Sequence, residues 1–147
     1  MSIRFSSQSV SFELKDETLV RQWLTKVISL RGKSVGNINY LFCDDEYLLD
    51  VNQRFLNHDT YTDIITFDYV VGCLISGDIM ISVDRVRENA TLFSVTFEQE
   101  LHRVIVHGVL HLLGQGDKSE EEAVEMRRLE AEALNLWDNL FHEEQMG

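Results

Sequence analysis

The sequence contains no proline, two cysteines, and only 13 lysines and arginines against 25 aspartates and glutamates in 147 residues. A chain of this length contains roughly seven prolines at average usage, so their absence argues against a proline-rich linker or tail. The formal net charge of −12 disfavours non-specific binding to nucleic acid or an anionic membrane, because the summed field repels polyanions. The remaining composition, 44% hydrophobic and 26% charged, is that of an ordinary globular protein.

Cysteine usage and the absence of long apolar runs indicate the compartment. Cys43 and Cys73 form no CxxC pair, which favours reduced thiols buried as small hydrophobic side chains. The N-terminal segment alternates polar and apolar residues, and the most apolar stretch, residues 104–113, is far too short to span a bilayer. We therefore expect no signal peptide, no membrane association, and a soluble cytoplasmic protein.

Hydrophobic periodicity predicts alternating strands and helices. A broken alternation over residues 3–14 indicates an opening strand, and helical spacing follows between Asp16 as a cap and Gly32 as a stop. Further strands are predicted over residues 34–43, 63–71 and 74–83, with a hairpin at Gly72, and further helices over residues 44–56, 86–93, 96–113 and 119–137. This order predicts an α/β (α+β) fold with a small four-stranded mixed sheet and packed helices, forming a single domain over residues 1–147.

Charge is distributed unevenly along the chain. Residues 21–33 carry Arg21, Lys26, Arg31 and Lys33 without any acid, whereas residues 117–147 carry ten acids against three bases. The basic stretch is therefore a candidate for a local, salt-sensitive contact with nucleic acid, even though the whole chain is acidic.

The most informative segment is VHGVLHLLGQGDK, residues 106–118. His107 and His111 are four residues apart, so on a helix both imidazoles project from one face. Asp117 follows the helix-breaking Gly114 and can complete a set of three ligands, which leaves a coordination position open as in catalytic zinc sites. The alternative is a buried histidine pair satisfied by carbonyl or carboxylate groups.

Gly108 argues against one class of metal enzyme. In HExxH proteases the glutamate beside the first histidine is the general base, and Gly108 stands at that position here. A metal-dependent hydrolase of another kind, acting on a phosphodiester or another ester, is therefore favoured over a peptidase.

Four motifs in order resemble the YbeY family of bacterial single-domain metal-dependent endoribonucleases. HGVLHLLGQGD resembles the signature HGxLHLxGxxH, residues 62–67 resemble a TDVLSF strand, residues 77–79 resemble a GDI strand, and residues 120–130 resemble the last helix with its Met and Glu pair. The resemblance spans roughly residues 35–132. It implies that His107, His111 and Asp117 bind one Zn²⁺ or another divalent metal and form the catalytic site.

Two positions depart from the family pattern. Asp117 stands where the third histidine is usual, and aspartate is an acceptable zinc ligand. Leu56 stands where the family usually has an arginine that acts on the RNA phosphate. Arg54 is nearby, but two residues along a helix point about 200° apart, so Arg54 is no obvious substitute.

For several other polar residues, the sequence is consistent with more than one role. The resemblance places His58, Asp59 and Asp63 near the metal, although such residues also serve as turn formers and caps. Asp78 either orients a ligand imidazole or marks a bulge. His102 and His142 are predicted to face solvent.

The resemblance implies a metal-dependent, single-strand-specific endoribonuclease that processes ribosomal RNA, including the 3′ end of 16S rRNA, and acts in ribosome quality control. Its partners would then be single-stranded rRNA and the small ribosomal subunit or its proteins. The alternative is a ribosome-associated assembly or binding factor that keeps a structural metal, with nuclease activity weak or lost.

Overall fold

The computed structural model of the chain describes residues 1–58 and 60–146. Its elements are β1 (Ile3–Ser7), α1 (Glu17–Leu30), β2 (Ser34–Cys43), α2 (Asp45–Leu56), β3 (Ile64–Asp68), β4 (Leu74–Ser82), α3 (Val83–Leu92), α4 (Phe97–Leu112) and α5 (Glu120–Met146). The predicted order of elements and the α/β class with a four-stranded mixed sheet are confirmed.

The sheet has the strand order β1-β2-β4-β3. The β1–β2 and β2–β4 pairs are parallel, and β3 is an antiparallel edge strand beside β4. The predicted hairpin at Gly72 is present, because Val71 and Leu74 exchange backbone hydrogen bonds across it and Gly72 has a φ of 59°. The hairpin therefore presents β3 at the edge of the sheet.

Helix α4 is the centre of the larger hydrophobic core. Ten of its 16 residues are buried, which is typical of a helix covered on nearly all sides. The Tyr40 hydroxyl on β2 donates to the carbonyl of Ile105 at 2.7 Å, which attaches α4 to the sheet. The Trp23 indole N–H on α1 donates to the carbonyl of Ala133 on α5, also at 2.7 Å. These buried bonds hold α4 against the sheet and α5 against α1.

The two faces of the sheet are covered by different helices. Ile79 of β4 faces α4, where a Cβ on Gly108 would lie 3.0 Å from its side-chain carbons. On the opposite face, Ile65 of β3 packs in a smaller cluster with Leu48 and Val51 of α2. Gly108 therefore points at the sheet, and a glutamate there, as in HExxH proteases, would have no space.

Three details differ from the sequence expectations. The opening strand ends at Ser7, because Ser9 adopts a φ of 63° and turns the chain. Asp16 precedes α1 in the left-handed conformation, and its side chain makes no capping hydrogen bond, since capping requires an extended backbone. Helix α5 continues beyond the predicted end to Met146, because no glycine or proline interrupts residues 138–146.

The two cysteines also differ from each other. Cys43 is buried at the end of β2, as predicted, and burial among nearby carboxylates raises the pKa of its thiol to about 12. Cys73 is exposed, so the prediction of burial is wrong for it; it follows Gly72 in the tight hairpin turn, which lies outside the core. Each helix in the described part of the chain is too short or too polar to span a lipid bilayer.

Candidate metal centre

Helix α4 places His107 and His111 side by side near its C-terminal end. The helix begins with a capping box, in which the Thr96 hydroxyl accepts from the backbone N–H of Gln99 and the Gln99 side chain accepts from that of Thr96. One turn apart, the two imidazole rings have centroids separated by 4.5 Å and stand nearly perpendicular. Both side chains are half-buried on the wall of a cleft of about 830 Å³.

Asp117 reaches the two histidines because the chain turns sharply after α4. Gly114 adopts a φ of 99°, and its N–H donates to the carbonyl of His111, which ends the helix. The Asp117 Oδ2 then lies 3.4 Å from the Nε2 of His107 and 3.4 Å from the Nε2 of His111. The structure thus brings together the three residues that the sequence singled out.

The three side chains fit a divalent metal ion. One ligand atom from each lies within 4.8 Å of the other two. Tetrahedral ligands about 2.1 Å from a zinc ion are separated from one another by about 3.4 Å, which is the spacing of Asp117 from each imidazole. Two imidazoles and one carboxylate also suit several other divalent metals, so the donor set does not select zinc by itself.

A buried carboxylate orients the first histidine. The Nδ1 of His107 lies 2.6 Å from the Oε2 of Glu130, which is almost fully buried on α5. With the Nδ1–H donated to Glu130, the Nε2 lone pair of His107 points toward Asp117 and the cleft. Histidine ligands of metals commonly have such a carboxylate partner, so Glu130 supports the ligand function of His107.

Arg103 joins the acids behind the histidines into one network. Its guanidinium contacts Glu100 at 2.6 Å and Glu130 at 3.4 Å, and it lies 3.9 Å from Asp63. Glu100 is buried, so its charge requires this partner. The neighbouring carboxylates raise the pKa of Arg103, which stays charged.

Asp63 lies on the cleft wall just before β3. Burial raises the pKa of its carboxyl group, and Arg103 and His107 partly oppose this effect. Its Oδ2 accepts a long hydrogen bond from the side chain of Asn89, at 3.5 Å. Asp63 therefore holds its proton to a higher pH than an exposed aspartate.

The loop before β3 completes the cleft. His58, Thr60 and Thr62 line it, as does Leu56 at the end of α2. The sequence prediction that His58 and Asp63 lie near the histidines agrees with this arrangement, whereas Asp59 lies outside the described residues. Two cationic side chains line this cleft among the described residues, Arg103 and Lys118.

Other candidates lie elsewhere. Asp78 is on the opposite face of the sheet from His107, where it accepts from the side chain of Asn39 at 3.1 Å, so it does not orient a ligand imidazole. Arg54 pairs with Asp50 on the exposed side of α2. None of the basic residues of the 21–33 stretch lines the cleft.

One prediction about the histidines is wrong. His102 is buried, with 6% of its surface exposed, and its ring lies 4.2 Å from that of Trp137. It is off the face of His107, as expected, but α4 is covered on that side by α5. His142, by contrast, is exposed on α5 as predicted.

The sequence reasoning did not identify Arg103 or Glu130 as parts of the site, although both carry a signal. Arg103 precedes His107 by four residues and therefore lies on the same face of α4. Glu130 interrupts the buried face of α5 formed by Met126, Ala133 and Trp137. A charged residue within such an apolar face needs a buried partner.

Together, the mixed sheet, the central helix and the His₂Asp cluster in an open cleft define an α/β protein with a candidate catalytic metal centre. Residues 2–138 match the model of the family described as Endoribonuclease YbeY. The chain belongs to this family.

Relatives of known name agree with this assignment. The chain is 54% identical to the endoribonuclease YbeY of Flavobacterium psychrophilum, over 87% of this chain and 91% of that protein. It is 51% identical to the protein of the same name from Porphyromonas gingivalis, over 90% and 87%. The solution structure of TM1509 from Thermotoga maritima has 28% sequence identity and a TM-score of 0.62, covering 93% of this chain and 92% of that one.

Proposed function

We propose that this chain is a metal-dependent endoribonuclease that cleaves single-stranded RNA, with His107, His111 and Asp117 as the catalytic ligands of one Zn²⁺ or another divalent ion. The observation that carries the proposal is the equal 3.4 Å spacing of Asp117 from both imidazoles. The relatives are named endoribonucleases, and these names supply the substrate class and the reaction.

The side chains around the cluster have separate roles in this proposal. His107, His111 and Asp117 would hold the ion as its three protein ligands. A divalent ion held there would supply Lewis acidity toward a phosphate oxygen and would lower the pKa of a bound water. Glu130 holds the Nδ1 proton of His107, which keeps Nε2 available as a ligand.

The phosphate backbone needs cationic contacts, and Leu56 cannot provide one. Lys118 is exposed beside Asp117, and Arg103 is partly exposed on the cleft wall. We assign the phosphate contact to Lys118 first, because Arg103 is already engaged by two buried carboxylates. Thr60 and Thr62 add hydroxyl groups on the same wall.

The cellular role follows from the resemblance of the motifs. We propose processing of ribosomal RNA, including the 3′ end of 16S rRNA, and ribosome quality control in the cytoplasm, with the small ribosomal subunit or its proteins as partners. One domain over residues 1–147 would carry this activity.

The decisive experiment measures bound metal and cleavage of a single-stranded RNA oligonucleotide for the wild type, His111→Ala and the exposed-histidine control His142→Ala. We expect about one equivalent of metal and metal-dependent cleavage in the wild type and the control, and loss of both in His111→Ala. An active protein without metal, or an unchanged His111→Ala variant, would refute the proposal.

A ribosome-associated assembly factor with weak or lost nuclease activity is the second candidate. It is favoured by Leu56 on the cleft wall, at the position where the family usually has an arginine. Sedimentation with small ribosomal subunits, together with RNA cleavage no greater than that of His107→Ala, would support this candidate. Robust cleavage by the wild type would reject it.

A further inference from the structure

A second cavity lies beside the first half of α4 and shares Arg103 with the cleft of the metal cluster. It has a volume of about 510 Å³ and is lined by residues of α4 and α5 and of the segments before α1 and α4. We call it the α4–α5 cavity. Its lining combines apolar side chains of α5 with polar and charged side chains, which are Lys15, Asp16, Glu98, Gln99, Glu100, Arg103 and Asp138.

His102 lines this cavity from within the core. Only 6% of its surface is exposed, and neither ring nitrogen makes a hydrogen bond to a residue that the structure describes; both nitrogens remain accessible from the cavity. Burial lowers the pKa of His102 to about 4, so the ring is neutral near pH 7. A neutral imidazole offers one N–H donor and one nitrogen acceptor, and here both lack a protein partner.

Aromatic side chains of α5 form an apolar wall of the α4–α5 cavity. The Trp137 ring lies 4.2 Å from the His102 ring and 6.0 Å from the Phe141 ring, measured between centroids. Leu134, half-buried one turn earlier on α5, extends the same apolar surface. Such a surface favours a planar ring over a branched or extended molecule.

The lining carries uncompensated negative charge. Lys15 pairs with Glu98 at 3.9 Å and Arg103 pairs with Glu100 at 2.6 Å, so neither cation is free to balance another acid. Asp16 and Asp138 have no ion pair with any residue in the described part of the chain, and both act electrostatically on His102. The cavity therefore favours a cation over a neutral molecule or an anion.

We propose that the α4–α5 cavity binds a small planar organic cation with N–H donors, such as an amidine, a guanidinium or a protonated aromatic amine. Its ring would lie on Trp137 and Phe141, and its N–H groups would donate to His102 and to the carboxylates of Asp138 and Asp16. This inference rests on the cavity alone and does not depend on the proposed nuclease activity.

Three probes of one shape and different charge test the inference: cationic benzamidine, neutral benzamide and anionic benzoate. Each is titrated into the full chain loaded with Zn²⁺, while NMR follows the ring signals of the histidines and the indole N–H signals of Trp23 and Trp137. We expect saturable benzamidine shifts at His102 and Trp137, with benzamide about fivefold weaker and benzoate weaker still.

Variants locate the binding. Asp138→Asn and His102→Phe should each weaken benzamidine binding by about threefold or more, and Glu143→Gln, an exposed acid farther along α5, should not. If His102→Phe does not fold, the variant Asp138→Asn decides the test.

Four results would overturn the inference: no saturable shift at millimolar benzamidine, equal affinity for benzoate, equal affinity in Asp138→Asn, or shifts confined to His107 and His111.

Discussion

At the scale of single residues, the burial of His102 has a consequence for stability. Its pKa is about 4 in the folded chain and about 6.5 when unfolded, so the unfolded state binds the extra proton between these values. The free energy of unfolding should therefore fall as the pH is lowered from 6.5 toward 4, by at most about 3 kcal/mol from this residue. Urea unfolding of the wild type and of His102→Phe across this range measures the difference.

The exposed His142 is the matched control for that experiment. His142→Phe should retain the wild-type slope of stability against pH, because its ring is solvated in both states. If His102→Phe loses stability on acidification as steeply as the wild type does, the interpretation that His102 is buried in its neutral form is wrong.

Glu130 carries a second prediction at this scale. Glu130→Ala removes the acceptor of the His107 Nδ1–H, so the imidazole is no longer held in one tautomer and orientation. We expect metal affinity to fall about 10- to 100-fold, measured by competition with a chromophoric chelator. Glu132→Ala, an exposed acid of the same helix, should bind metal like the wild type, and equal affinity in the two variants would contradict the role of Glu130.

The residues of the site were predictable to the extent that they are close in sequence. His107, His111 and Asp117 lie within eleven positions of the sequence. The periodicity of the helix and one turn at a glycine are enough to bring their side chains together. The contact of His107 with Glu130 joins two helices across 23 positions, and no local pattern specifies how α5 lies on α4. The burial of His102 has the same cause, since it depends on Trp23 and Trp137 from other helices.

At the scale of elements, attachment of α4 to β2 determines where the histidines stand. The buried Tyr40 hydroxyl donates to Ile105, two residues before His107. Tyr40→Phe should lower the free energy of unfolding by about 1 kcal/mol, because a buried carbonyl loses a hydrogen bond. Tyr69→Phe, at an exposed tyrosine, should change it by less than about 0.5 kcal/mol in the same urea titration, and equal effects would show that the Tyr40 bond contributes nothing.

The ends of the helices could be predicted from the local sequence, whereas the pairing of the strands could not. Gly32 has a φ of 74° after α1, and the Asp44 side chain accepts from the N–H of Tyr47 at the start of α2, as local sequence suggests. The strand order, with β4 between β2 and β3, comes from contacts between distant segments. That order places the loop before β3 beside the C-terminal end of α4, and so forms the cleft.

At the scale of the whole molecule, the distribution of charge limits how this chain can hold RNA. The net charge is −12, and the basic stretch of residues 21–33 begins on α1, which packs against α5 and β2 rather than beside the cleft. Among the described residues, the cations at the cleft are Arg103 and Lys118. We therefore expect RNA binding that depends on few phosphate contacts.

The number of phosphate contacts determines how strongly RNA binding depends on salt concentration. Two phosphates neutralised on single-stranded RNA predict a slope of about −1.4 for the logarithm of the binding constant against that of salt concentration. Fluorescence anisotropy of labelled single-stranded RNA with His111→Ala, which leaves the RNA intact, measures this slope. Adding Lys118→Gln should make it shallower by about 0.7, whereas Lys26→Gln on α1 should leave it unchanged. A slope of about −3 or steeper, reduced by Lys26→Gln, would instead show that RNA extends from the cleft to the basic stretch.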